Sequence, residues 1–181
     1  MNKNDGFIVV QRPLASGEAR NNPRYRGIDR LIPWSMEHYS KGFDDPYLSP
    51  EYATDEGLIR SALLAQKVLL IFTEIVEPAD LEILYVRKAT PNKESTPPAL
   101  PEYRFVGFDV AADSSPFYSL VSDFPPTSEI SFQTFREQFN ENGLFDEMEV
   151  ARDYLEAYLE RYPEDRDKGI IVWEIYRLEQ V

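Results

Sequence analysis

The chain contains no cysteine. Disulfides, thiolate nucleophiles and every Cys-based zinc site are therefore excluded. Histidine is nearly absent as well, with His38 alone, so the soft and borderline ligands of a transition-metal site are missing. A Ser-His-Asp triad on His38 lacks the G-x-S-x-G turn that would present its nucleophile, and catalysis through this residue is not expected. The eight glycines form neither G-x-G-x-x-G nor G-x-x-x-x-G-K-[ST], which argues against a glycine-rich phosphate loop. No cofactor is expected. Long hydrophobic runs are missing too. The longest is Val68 to Phe72, far short of the ~20 residues of a membrane helix. Met1 to Asp5 reads MNKND, with no basic and apolar signal-peptide pattern, so the cytoplasm is the expected compartment.

Positive charge is the other shortage. Nineteen Lys and Arg face 32 Asp and Glu, for a formal charge of −13. The imbalance is local: residues 1–40 carry six bases and four acids, and residues 41–181 carry 13 and 28. Such a field repels nucleic-acid phosphates and anionic membranes and attracts basic surfaces. What is plentiful is apolar and aromatic surface. Hydrophobic residues make up 43% of the 181, with 11 Phe, 11 Tyr and 2 Trp. That is enough to bury one core, and no repeat or linker divides the chain, so residues 1–181 read as a single globular domain.

The element order follows from pattern. Phe7 to Val10 reads as a strand, and residues 13–27 as a Pro-, Gly-, Asn- and Arg-rich loop. Ile28 to Trp34, interrupted by Pro33, suits an edge strand or irregular segment, and Asp44 to Pro50 a turn. Thr54 resembles an N-cap, with apolar residues at helical spacing from Leu58 and Ile59 to Val76, predicting a largely buried central helix with Leu63 and Leu69 in the core. Glu82–Lys88, Tyr103–Ala111, Phe117–Ser122 and Ile170–Leu178 read as strands, and the Pro-rich stretch 89–101 as an exposed loop. Two helices are predicted near the C-terminus, over Ser131–Asn140, stopped by Gly143, and over Phe145–Tyr162, stopped by Pro163. The order β, α, β, β, β, α, α, β predicts an α+β fold: a largely antiparallel sheet packed by one central helix and two C-terminal helices.

Three sets of residues are candidates for function. Asp109, in the strand VGFDV, and Asp113, in the turn that follows, could hold Mg²⁺ or Mn²⁺ for a metal-assisted hydrolase. Turn capping by Asp113 explains the same pattern. Asp123 and the pair Asp44 and Asp45 admit the same two readings. On the last helix, Asp146, Glu149, Asp153, Glu156 and Glu160 recur at spacings of three and four and line one stripe, behind a face of Leu144, Met148, Ala151, Leu155, Tyr158, Leu159 and Tyr162. Residues 129–167 hold 12 acids against four Arg. The stripe is either a solvated face or a docking surface for a basic partner, with Tyr154 as a candidate aromatic anchor. The basic segment Arg20 to Arg30 could fold back on it.

From Leu81 to Phe124 the chain resembles small bacterial immunity proteins of polymorphic and contact-dependent toxin systems. The resemblance rests on the strand EILYVRK, a Pro-rich loop, the strand residues Gly107, Phe108, Asp109 and Val110, and the Ser- and Tyr-containing segment Ser114 to Leu120. It implies cytoplasmic binding of a partner toxin, often a nuclease domain, without catalysis. The leading expectation is thus an acidic protein-binding module acting on a basic protein partner, through Glu149, Asp153, Tyr154, Glu156, Glu160, Asp109 and Asp113. The alternatives are the hydrolase and a non-catalytic structural subunit.

Overall fold

The computed structural model describes residues 5–11, 58–73, 81–90, 102–113, 120–121 and 133–178. Strand β1 (Asp5–Gln11) is followed by helix α1 (Ala62–Phe72), strands β2 (Leu81–Lys88) and β3 (Tyr103–Ala112), the one-turn helix α2 (Gln133–Arg136), helix α3 (Met148–Arg161), a 3-10 turn (Pro163–Lys168) and strand β4 (Ile170–Leu178). The four strands form one sheet in the order β1-β2-β4-β3, and every pairing is antiparallel. The chain is therefore α+β with an antiparallel sheet. The last strand to be made is an inner one, inserted between β2 and β3, and its middle residues Val172 to Tyr176 are all buried.

The aromatic richness has a structural reason. Phe7 stands opposite Tyr85, Tyr85 opposite Tyr176, and Tyr176 opposite Phe105. Their rings follow one another across all four strands at centroid separations of 5.3, 5.9 and 5.5 Å. Tilted and edge-on pairs of this kind add to the energy of area burial. Helix α1 covers the β1–β2 end of this face through Ala62, Leu64, Ala65, Val68 and Leu69. Helix α3 covers the β3–β4 end through Ala151, Tyr154 and Tyr158, against Phe108, Val110 and Val172. The opposite face carries Ile8, Leu84, Val86, Trp173 and Ile175, all at most 1% exposed, joined by Leu58 and Leu144.

Two ion pairs clamp neighbouring strands, one on each face of the sheet. Arg87 meets Glu174 directly across β2 and β4, and Tyr176 Oη donates to the same carboxylate at 2.7 Å. Arg177 of β4 pairs with Glu82 of β2, and its other nitrogen donates to Asn142 Oδ1 at 3.1 Å. Alternation along a strand places these pairs on opposite faces.

The structure corrects the reading of the first helix. It begins at Ala62, and Ser61 is its cap, with Oγ accepting the Leu64 amide at 3.3 Å. Leu58 and Ile59 are not helical: Ile59 exchanges two backbone hydrogen bonds with Phe7, closing the outer edge of β1. The helix is not central, because only one side meets the sheet, and Leu63 and Leu70 are 63% and 65% exposed. Leu69 is partly buried, as a core contact of that one side. The helix expected over 131–140 is a single turn, and Gly143 lies beyond it in a tight loop. His38, the loop 13–27, the segments Ile28–Trp34 and Asp44–Pro50, the cap Thr54, the basic stretch Arg20–Arg30, Asp123, most of the Pro-rich loop and most of Phe117–Ser122 lie outside the described residues.

Strand β3 shifts register between Phe105 and Gly107, where an extra residue makes a bulge. Gly107 has φ +145°, and a Cβ there would lie 2.6 Å from Leu144 Cβ and 3.0 Å from the Phe145 carbonyl. Gly107→Ala should therefore suffer backbone strain of about 1–3 kcal/mol and overpacking of about 1–3 kcal/mol. Leu63→Ala, on an exposed helix face, should stay within about 0.5 kcal/mol of the parent. Urea midpoints of the two variants check this, and equal midpoints would show that the bulge tolerates a side chain.

Candidate binding surface

Helix α3 has two opposed faces. Ala151, Tyr154 and Tyr158 are buried, and Glu149, Asp153, Glu156 and Glu160 are exposed. At about 100° per residue these four carboxylates fall within one narrow sector, turned away from the sheet. The spacing-based stripe is therefore a real surface feature, extended upstream by exposed Asp146 and Glu147. Glu149 in the first turn suits the positive end of the helix dipole, and Arg161 in the last turn suits the negative end.

Tyr154 is not part of that surface. It is 0% exposed and packs against Phe135 and Phe145 at 5.4 and 5.5 Å, and its hydroxyl donates to the Leu120 carbonyl at 2.6 Å. The buried row of the helix runs through 151, 154 and 158, with Leu155 and Leu159 flanking it, so the anchor expected on the surface is a core residue. Asp109 is buried as well, at 1% exposure, and its Oδ1 accepts the Val110 amide at 2.7 Å. It caps an edge N–H of β3. Asp113 is half-exposed and paired with Lys88. Each carboxylate of the suggested metal pair thus has a structural partner, and among the described residues no group of three or more His, Cys, Asp or Glu side chains converges.

A second feature was not legible from acidic spacing. Between the β3 bulge and the loop 140–146 lies a cavity of about 270 Å³, lined by Arg104, Phe105, Val106, Asn140, Glu141, Asn142 and Asp146. Asn140 builds its wall. Its Nδ2 donates to the Val106 carbonyl at 2.9 Å and to Asp146 Oδ1 at 2.7 Å, and its Oδ1 accepts the amides of Asn142 at 2.9 Å and Leu144 at 3.2 Å. The loop closes as a turn, with Gly143 N–H donating to the Asn140 carbonyl at 3.0 Å, and Phe139 bridges Phe145. The dipeptide Asn142-Gly143 between Phe139 and Phe145 is a hairpin signal in the sequence that could have marked this loop, although Gly143 reads there only as a helix stop. The cavity and the acidic face adjoin through Asp146, two residues before α3.

No family model, curated protein or solved structure matches this chain. No helix among the described residues is long and apolar enough to cross a membrane.

The phenols behind the surface carry a pH dependence. Burial, then neighbouring carboxylates, raises the pKa of Tyr85, Tyr158 and Tyr176. Burial likewise raises Tyr103 and, strongly, Tyr154. Each must stay neutral in the folded chain while ionising near pH 10 when unfolded. Their contribution is fully present below about pH 10 and is lost as pH rises through the folded values. The urea midpoint should therefore fall steeply above about pH 10, with ionisation of these five of the 11 tyrosines appearing only together with unfolding. Ionisation of all 11 near pH 10, with the fold intact, would contradict this.

Proposed function

We propose that this chain is a non-catalytic protein-binding module, an immunity-type inhibitor that neutralises a cognate bacterial toxin by direct binding in the cytoplasm. The observation that carries the reading is the acidic face of α3. Four carboxylates point away from a helix side that is anchored in the core, on a chain of net charge −13. A fixed face of one sign suits a basic partner, and nuclease domains are basic because they bind phosphates. The resemblance of residues 81–124 to immunity proteins points the same way. Asp109 and Asp113 support the competing hydrolase less well, since one caps a strand and the other is held by Lys88.

Exposed carboxylates add little static affinity one by one. Their summed field acts on encounter, raising the association rate in a salt-dependent way. Once a partner is isolated by pull-down, Asp153→Lys combined with Glu156→Lys should slow association at low salt about tenfold or more and flatten its salt dependence. Both side chains are exposed, so stability should hold. An unchanged association rate would refute docking through this face.

A further inference from the structure

We propose that the outer edge of β3 at Tyr103–Phe105, with the cavity beside it, receives an extended basic peptide segment of the protein partner, paired to β3 as a fifth strand. The inference rests on the reading above that the partner is a basic protein.

The sheet has two outer edges, β1 and β3. On β1, Phe7 is paired in both directions by Ile59. On β3 the edge is closed from the bulge onward. Asn140 Nδ2 takes the Val106 carbonyl, Phe108 exchanges two bonds with Phe145, Leu120 N–H takes the Val110 carbonyl, and Asp109 takes the Val110 amide. Among the described residues this closure stops upstream of the bulge. Ile59 on the outside of Phe7 fixes the alternation of the whole ladder, so Arg104 turns its backbone groups toward Arg177 of β4. Tyr103 and Phe105 then turn theirs outward, where no described residue pairs with them. An open run of this length is what an added strand uses.

The cavity lies against two of these residues, Arg104 and Phe105, and against Val106 of the bulge. Asn142 lines it while only 4% exposed. Its Oδ1 is taken by Arg177, which leaves Nδ2 as the donor offered to the cavity, with no acceptor among the described residues. That amide donor suits a peptide carbonyl. The charged lining is the exposed carboxylates of Glu141 and Asp146 against the single cation Arg104, a net acidic rim that favours Lys or Arg side chains on that peptide. At about 270 Å³ the space is below the usual ~300–1,000 Å³ of small-molecule pockets and suits a single side chain. A segment leaving it past Asp146 would run onto the acidic face of α3.

The test uses the full chain and three synthetic probes. They are an acetylated, amidated hexapeptide of alternating Lys and Val, its alternately N-methylated counterpart, and the same peptide with Glu for Lys. Titrations are followed by amide chemical shifts. The Lys-Val peptide should shift Tyr103 to Val106 and Glu141 to Asp146. N-methylation, which removes donors along one edge without touching the protein, should weaken binding at least tenfold, and the Glu peptide should not bind. Glu141→Lys, an exposed change, should weaken the Lys-Val peptide severalfold. Equal binding of the N-methylated peptide, shifts confined to Glu149–Glu160, or no binding at millimolar peptide would each overturn the proposal. Those outcomes leave partner docking on α3 standing. An unchanged partner association rate in the Asp153→Lys, Glu156→Lys variant, with the peptide still seated at the β3 edge, would instead remove the acidic-face reading alone.

Discussion

The side chain of Asn140 uses all four of its hydrogen-bonding positions, two as donors and two as acceptors, an inventory that only Gln shares. Its amide nitrogen ties the bulge of β3 to the first carboxylate of the acidic face. Its oxygen gathers the backbone of the loop that carries Asn142 and Leu144. The bulge supplies the matching constraint from the sheet, since Gly107 leaves room for Leu144 where any Cβ would collide. Leu144 and Phe145 can then enter the core, both at 0% exposure, and the chain reaches α3 at a fixed point. The entry to the helix has no side-chain cap of its own, because Glu147 makes none, so its placement depends on this upstream knot.

Stability and specificity are divided between different contacts. The aromatic row Phe7, Tyr85, Tyr176 and Phe105 runs the width of the sheet and supplies buried area on the face that both helices cover. The clamps Arg87–Glu174 and Arg177–Glu82 are nearly or partly buried, and such pairs add modest net stability while making a wrong register costly. A one-residue slip of β4 would carry Glu174 and Arg177 to the opposite faces, away from Arg87 and Glu82, and leave these charges buried without their partners. At the far end of α3, Tyr158 donates to Asp165 at 2.6 Å, and Lys168 holds the same carboxylate, so the turn into β4 is pinned as well. Hydrogen bonds from Lys168, then Tyr158, keep the Asp165 carboxyl below its ordinary pKa.

The sequence was most informative where one period dominated. Strands β1 to β4 and helix α3 lie within a few residues of their expected spans, because alternation and the three-four spacing of acids reflect surfaces that solvent reads directly. The first helix was misplaced because Leu58 and Ile59 continue its apolar spacing while their backbones serve β1 instead. Leu63 was expected inside with Leu69, since apolar character alone does not say which side of a helix meets the sheet. The site was half legible. Carboxylate spacing found the exposed stripe of α3, whereas Tyr154 sits one step around the helix, in the buried row. The cavity depends on contacts between residues 104–106 and 140–146, which no local pattern carries, although the Asn-Gly pair at 142 and 143 signals the loop that forms them.

If the Asn140 knot holds the bulge, the cavity and the start of α3 together, removing its side chain should loosen these and nothing else at first. Native-state hydrogen exchange on Asn140→Ala measures this directly. The amides of Asn142, Leu144, Phe145 and Phe108 should lose protection, while those of β2 and β4 in the middle of the sheet remain slow. Unchanged protection at Leu144 and Phe145 in that variant would contradict it.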